Sequence, residues 1–316
     1  MPKLDITIAG EINLDLFLYG LPEQMPVERE LLASQFSMTL GSSSAIVAHN
    51  LAALGSRVGF VTKVGDDALG KIALDRLVAG GVDLSRVVRA EGAASGVTLI
   101  LPHERERHIL TYLGTISELR FEDLDLEYLS SARHFHLSSL FLQRALAPRV
   151  HDLFREMKSA GLTTSLDTND DPDDRWEGAL DATLPFVDVL LPNEREAMKM
   201  ARASDLETAV TRLSERMQTV VVKMGSRGAI AVQGKKQFSA PAAKVQIVDP
   251  VGAGDSFDAG FLHKFVQGSD LPDCLAYGNL CGAFSTTASG GTEAFRNRDA
   301  MQAFLAQTNQ DAGFRI

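Results

Sequence analysis

Cysteine is scarce in this chain, basic residues are in deficit, and long uninterrupted apolar runs are missing. Only Cys274 and Cys281 occur. They stand seven apart in a helical-looking stretch, so they share a face and belong in a core rather than in a disulfide or a metal pair. Acidic residues outnumber basic ones, 41 to 31, for a formal net charge of -10. No basic stripe is there to displace counterions from a phosphate backbone, which excludes nucleic acid as a partner and disfavours anionic membranes. A nucleotide is not excluded, because an anion site built from backbone N–H groups needs no positive net charge. No stretch reaches about 18 consecutive apolar residues, so no segment is expected to span a membrane. The opening MPKLDITIAGEINLD has no basic leader and no long apolar segment, unlike a signal peptide. The expected setting is aqueous, reducing and cytoplasmic. Repeats, low-complexity tracts and long linkers are also absent, and residues 1–316 read as one domain.

Short β-branched runs alternate with longer helical patterns, the signature of an α/β domain with a mainly parallel sheet. Strands are expected at 5–9, 58–64, 134–137, 163–167, 187–191, 219–223 and 229–232. Helices are expected at 44–54, 68–79, 148–160, 194–200, 206–216, 256–267 and 272–288. Residues 13–40 and 95–113 break this alternation and read as extended strands with turns. Segments 97–102 and 108–113 flank a charged tip at 104–107 and look like a hairpin. Together these stretches predict a small antiparallel sheet acting as a lid, whose exposed face would pair with a second copy in a homodimer. Arg105 and Arg107 at the tip read as solvated charges rather than as a substrate clamp.

The stretch 248–261, VDPVGAGDSFDAGF, carries the most chemistry. A strand-like run ends at Asp249, Pro250 breaks it, and Gly252-Ala253-Gly254-Asp255 opens a helix. The backbone N–H groups of Gly252, Ala253 and Gly254 at that helix start make a concave anion hole, and small residues let a phosphate come close. Asp255 then stands beside the transferring phosphoryl group, where a base takes the proton of an attacking hydroxyl. The plainer reading is a tight turn capped by Asp. A helix N-terminus also stabilises a carboxylate and weakens it as a base. Phosphoryl transfer tolerates that, because its loose transition state depends more on positioning than on strong base catalysis. A second glycine loop, GDDALGK at 65–71, continues with Ile72 where a P-loop needs Ser or Thr, and it would put Asp66 and Asp67 inside the phosphate cradle. It is excluded as a P-loop. No G-x-G-x-x-G follows the first strand, which removes the usual dinucleotide fingerprint.

These segments, in this order, resemble the ribokinase-like (PfkB) family of carbohydrate and nucleoside kinases, from Gly10 to about Thr292. DPVGAGD at 249–255 resembles the family's D-T-x-G-A-G-D, and NERE at 193–196 its N-x-x-E. VVVKMGSRG at 220–228 resembles the nucleotide-binding strand and turn, and VGDDALG at 64–70 the V-G-x-D-x-x-G segment. GSSSAIVAHNLAALG at 41–55 takes the place of the G-G-x-x-x-N signature. The resemblance implies a ribokinase-like three-layer α/β/α domain with a mainly parallel central sheet and a small β-sheet lid. It implies an ATP-dependent kinase of the fructokinase or ribokinase kind, with Asp255 as the base. Glu196, with Asn193, would position Mg2+ and phosphate through water, a hard-cation arrangement; Asn193 also reads as a simple helix cap. Lys223, Gly225 and Gly228 would lie along the nucleotide and Asn279 near the adenine, with Lys223 standing where Thr is common. Asp249 and the Val251 carbonyl resemble a monovalent-cation site, hence an expected K+ dependence.

For the acceptor, Asn13 and Asp15 match the family residues that hydrogen-bond sugar hydroxyls, and an Asp suits two vicinal hydroxyls. A turn-forming Asn-x-Asp is the plainer reading. After Gly41 the pattern departs: Ser42 replaces a glycine, Ser43 a lysine typical of ribokinases, and Ile46 the usual Asn. The apolar Ile46 makes ribose doubtful and leaves a nucleoside kinase as the alternative, beside a non-catalytic binding protein. Asn50, one turn later, reads as a substitute or a surface polar residue. Asn169 belongs to a D-x-N that passes the site, while Asp171, where relatives acting on acidic sugars often carry Arg, argues for a neutral monosaccharide. His136 reads either as a sugar contact or as a strand-face histidine; zinc is excluded for lack of partners.

Overall fold

The apolar runs and helical periodicities do alternate in space as they do in sequence. The computed structural model describes residues 3–103 and 106–312. Its strands are β1 (Ile6–Ala9), β2 (Asn13–Tyr19), β3 (Gln35–Gly41), β4 (Val58–Val61), β5 (Lys63–Gly65), β6 (Val88–Ala90) and β7 (Gly96–His103). They continue with β8 (Glu106–Tyr112), β9 (His134–Ser138), β10 (Thr163–Asp167), β11 (Val189–Leu190), β12 (Thr219–Lys223), β13 (Ala229–Gln233) and β14 (Lys236–Ala240). The helices are α1 (Ser43–Ala53), α2 (Ala68–Gly80), α3 (Leu126–Leu129), α4 (Val150–Ser159), α5 (Ala179–Thr183) and α6 (Glu194–Met200). After these come α7 (Leu206–Ser214), α8 (Ala253–Val266), α9 (Leu271–Ser285), α10 (Glu293–Arg296) and α11 (Arg298–Ala312).

Eight strands form one sheet in the order β14-β13-β12-β11-β10-β9-β1-β4. Pairings from β4 to β12 are parallel, and β13 and β14 add an antiparallel edge. β1 and β9 are buried at every position, as strands covered on both faces must be. Side-chain alternation sends Phe135, Leu137 and Leu166 to one face, with Phe154, Met157 and Leu213 of α4 and α7. It sends Ile6, Ile8 and Val221 to the other, with Leu51, Phe261 and Leu275 of α1, α8 and α9. The result is three layers. Cys274 and Cys281 are buried free thiols on α9. Among the described residues, no helix is long and apolar enough to cross a membrane.

The parallel strands all end at one edge of the sheet, where the chain continues into Glu11, Ser139, Asn169 and Asn193. Ligands of open α/β sheets bind in the crevice beyond these carboxyl ends. A separate sheet, β3-β2-β7-β8, borders that crevice. It is not wholly antiparallel as expected: β2 pairs antiparallel with β3 but parallel with β7. Alternation along β2 puts Asn13 and Asp15 on one face, Leu14 and Leu16 on the other.

Several boundaries differ from expectation. The run at 58–64 breaks into β4 and β5, because β5 leaves the main sheet to pair with β6. β14 is missing from the sequence reading, since its KQFSA offers little apolar signal. The apolar run before Asp249 is not a strand: Ile247 and Val248 are 63% and 65% exposed. Its end is held elsewhere: Val248 N and Asp249 N donate to Thr286 O, at the end of α9, rather than to a strand. In the loop at 65–71, Asp67 accepts from Gly70 N at 2.7 Å and caps α2. Arg105 lies outside the described residues.

Candidate active site

Asp249 fastens the loop that precedes α8. Its carboxylate accepts from Val251 N (3.0 Å) and Gly290 N (2.9 Å), joining two loops 41 residues apart in sequence. Gly252 then turns the chain with φ 75, and a Cβ there would lie 2.4 Å from Gly291 Cα, so the position admits only glycine. α8 starts at Ala253, and Gly252 supplies no side-chain cap. The first N–H groups of a helix have no intrahelical partner, so this start is left to an anion.

Asp255 lies in that first turn. Burial, then the charge of Asp167, pushes its carboxyl up to about 6, while Lys223 and a hydrogen bond from Ser43 pull it down and Glu11 adds to the rise. Low local dielectric and neighbouring carboxylates thus work against the weakening that a helix N-terminus brings. A base titrating near neutral pH results.

Beneath this turn lies a buried ionic triad. Lys223 Nζ, at the end of β12, donates to Asp167 Oδ2 at 2.7 Å and to Asp258 at 3.1 and 3.2 Å. The lysine side chain is 11% exposed and the two aspartates are fully buried. Burial alone would strip Lys223 of its proton, but Asp167, Asp258 and Glu196 reverse that and hold the ammonium charged. The expected contact of the Lys223 side chain with nucleotide is therefore corrected: its ammonium is turned inward. Asn193 and Glu196 form a reciprocal capping box on α6, with Glu196 N donating to Asn193 Oδ1 (3.0 Å) and Asn193 N to Glu196 Oε2 (2.8 Å). Burial, then Asp167, raises Glu196 to about 7, an excess of negative charge that a cation would relieve. Gly225 (φ 58) and Gly228 (φ 89) shape the turn after β12. A Cβ on Gly228 would strike Ala240 O at 2.1 Å. Asn279 donates to Ala240 O and Pro241 O, so its amide pins the end of β14.

On the acceptor side, Asn13 Nδ2 donates to Thr98 Oγ1 (2.7 Å) and its Oδ1 accepts from Ser42 (3.1 Å). Asp15 is 6% exposed, and no described residue donates a hydrogen bond to it. Burial and the charges of Asp255 and Asp249 raise it to about 7, which also places the three carboxylates within electrostatic reach. Ser42 keeps φ 66, the backbone that explains the glycine of the family pattern. Asn169 Nδ2 donates to Ser139 Oγ (3.2 Å).

Three acceptor-side readings change. His136 is fully buried, with Nδ1 on Ser165 Oγ (2.7 Å) and Nε2 on Ser138 Oγ (2.8 Å), so no ring nitrogen is left for a sugar. Ile46 keeps its place beside the site, buried with its side chain against Gly252 and Gly291. Asn50 donates to Ser256 Oγ and Gly291 O, tying α1 to α8 in the core. Asp171 is also spoken for: it accepts from the backbone of Asp173, Arg175 and Trp176, and so shapes a turn.

Residues 3–298 match the pfkB family carbohydrate kinase. The chain belongs to that family. It is 32% identical over 302 residues to the ATP-dependent ribose-1-phosphate kinase of Halopiger xanaduensis, across 95% of this chain and 97% of that one. It is 28% identical over 287 residues to 2-dehydro-3-deoxygluconokinase of Bacillus subtilis, across 86% and 88%. The solved Arabidopsis thaliana ribokinase complexed with ribose and ATP superposes with a TM-score of 0.82 over 96% of this chain and 98% of that one; at 23% identity it shows the fold. This PfkB protein is an ATP-dependent sugar kinase, a phosphotransferase with an alcohol acceptor.

Two buried acidic residues of this kinase, Glu11 and Asp258, were not expected from the sequence. Glu11 is buried and accepts from Ser44 N, Ser44 Oγ and Gln143 Nε2. Its position two before Asn13 was the only signal. Asp258 had a better one: three residues after Asp255 on a helix means the same face.

Proposed function

We propose that this kinase transfers the γ-phosphoryl group of ATP to a hydroxyl of a neutral monosaccharide. The observation that carries this is Asp15: a buried carboxylate that accepts no side-chain hydrogen bond among the described residues and that feels the charge of Asp255. Two vicinal hydroxyls of a polyol satisfy such a carboxylate and relieve its desolvation. Asn13, Gly41, Ser42, Ser43 and Asn169 border the same space. No lysine or arginine enters the hydrogen-bond network of Asn13 and Asp15 among the described residues, which disfavours an anionic acceptor. Asp171, occupied by backbone donors, has no bearing on the acceptor's charge.

In this reading Asp255 orients the acceptor hydroxyl and takes its proton as the oxygen attacks the γ-phosphorus. The N–H groups of Gly252, Ala253 and Gly254 hold the transferring oxygens. The nucleotide runs over Asn193, Gly225 and Gly228 toward Asn279. Mg2+ suits Glu196 through water, since its carboxylate oxygens already accept from Asn193; when bound it neutralises phosphate charge. K+ would be held by Asp249 and the Val251 carbonyl, and equal rates in sodium and potassium would remove it. The sheet of β2, β3, β7 and β8 serves as a lid that excludes water. On its outward face Phe36, Leu110 and Tyr112 are exposed, and it pairs with a second copy; a monomer in sedimentation would contradict this. A cytoplasmic setting suits the free thiols and the ATP requirement.

A second reading, a phosphorylated pentose as acceptor, is favoured by the Halopiger relative's activity. ADP release over neutral hexoses, pentoses, nucleosides, sugar acids and ribose 1-phosphate separates them. Turnover on a neutral sugar supports the first; turnover confined to ribose 1-phosphate overturns it.

A further inference from the structure

Acidic groups from three elements converge beneath the anion hole: Asp167 from β10, Glu196 from α6, Asp255 and Asp258 from α8. Burial and mutual repulsion raise Asp255, Glu196 and, furthest, Asp258 above their ordinary values, so the space resists further negative charge such as a phosphate. Among the described residues, Lys223 is the basic side chain that hydrogen-bonds to Asp167 and Asp258. Its Nζ also lies 3.6 Å from where a Cβ on Gly254 would be, directly under the first turn of α8. The backbone N–H of Lys223 is fixed on Pro192 O at 2.9 Å, so the ammonium is anchored at both ends of its side chain.

We infer that Lys223 is a positioning residue for phosphoryl transfer. Clamped by Asp167 and Asp258, it ties the first turn of α8 to the sheet and offsets the carboxylates around Asp255 without itself binding nucleotide. The inference rests on the proposed role of Asp255. A hydrogen bond from an ammonium to two carboxylates of different elements locks their separation, and hence the place of the helix N–H groups. The same charge keeps a base ionised among anions. The groups that face Asp255 are Asp167, Lys223 and Ser43 from the sheet and α1, Glu11 after β1, Asp15 from β2 and Asp258 on its own helix.

The test is the pH profile of kcat, with KM for ATP and sugar, in wild type, Lys223→Met and Asp167→Asn. Lys223→Met is expected to lower kcat roughly 10²-fold with KM for ATP little changed, and to move the acid limb to higher pH. Asp167→Asn removes the opposing charge of the same ion pair and is expected to move that limb to lower pH. Loss of packing alone would not send the two variants in opposite directions. A raised KM for ATP at unchanged kcat would show Lys223 holding nucleotide, and limbs moving together would also overturn the inference. If Lys223→Met does not fold, Asp167→Asn decides alone: a limb that rises or stays put overturns it. Wild type without turnover on any acceptor would sink the kinase mechanism itself, a separate outcome.

Discussion

Gly41 leaves the space that the Asp15 carboxylate occupies: a Cβ on Gly41 would lie 2.1 Å from Asp15 Oδ1 and 2.3 Å from Asn13 Oδ1. The two strands carrying them pair Asn13 with Gly41 directly. Gly41→Ala must therefore displace both acceptor residues. The expected result is a roughly 10²-fold loss of kcat/KM for the sugar, since small misplacements at a reacting site are costly. Isothermal titration with ATP should show affinity close to wild type.

Ser42 holds a positive φ without the freedom of glycine. Ser42→Gly removes that strain, at the loss of one hydrogen bond to Asn13. A net stabilisation of about 1 kcal/mol is expected. It is read from the denaturant midpoint at unchanged slope; a lower midpoint would show the Asn13 bond outweighing the strain.

Asp15 is kept at the expense of stability. Its carboxyl is raised from 3.8 to about 7, so above pH 7 the folded protein carries a buried charge that the unfolded chain holds at no cost. Asp15→Asn should stabilise the free protein at pH 8, on the order of 2 kcal/mol, with the gain fading as pH falls from 7 toward 4. Sugar turnover should be lost. A gain equal at pH 8 and pH 5 would rule out this cause.

The legible parts of this molecule are those whose partners lie close in sequence. Gly252 and Asp255 sit in one turn, and Asn193 and Glu196 close a capping box three residues apart. Asn50 was opaque because its partners, Ser256 and Gly291, are 206 and 241 residues away. His136 shows a related limit: alternation tells which face of β9 it occupies, but not that Ser138 and Ser165 take both its nitrogens. For Lys223 the position was readable and the direction was not, since Asp167 and Asp258 reach it from other elements. Ile247 and Val248 read as a strand because nothing local says that the Val248 N–H goes to Thr286 O, 38 residues on, instead of to a neighbouring strand.

A hydrogen-bonded row crosses the sheet from Thr163 through His134, Ser165 and His136 to Ser138, each step 2.7–2.8 Å. Burial holds His134 down to about 3 and His136 to about 4. Both rings should stay neutral from pH 8 to 5, seen as unmoving imidazole signals in NMR. Unfolded histidines titrate near 6.5. Their contribution is therefore complete above pH 6.5 and is lost as pH falls toward 4, by about 1.4 kcal/mol per unit for each ring. Signals that titrate near 6.5 would contradict this.

Asp255 as the base is what the proposed phosphoryl transfer depends on. Its direct test is steady-state ADP release with Mg2+–ATP and the best acceptor, comparing wild type with Asp255→Asn, alongside ATP affinity of both. A loss in kcat on the order of 10³-fold with ATP affinity retained is the predicted result. Turnover within a few-fold of wild type in Asp255→Asn would contradict the assignment and move the search for the base elsewhere in the crevice.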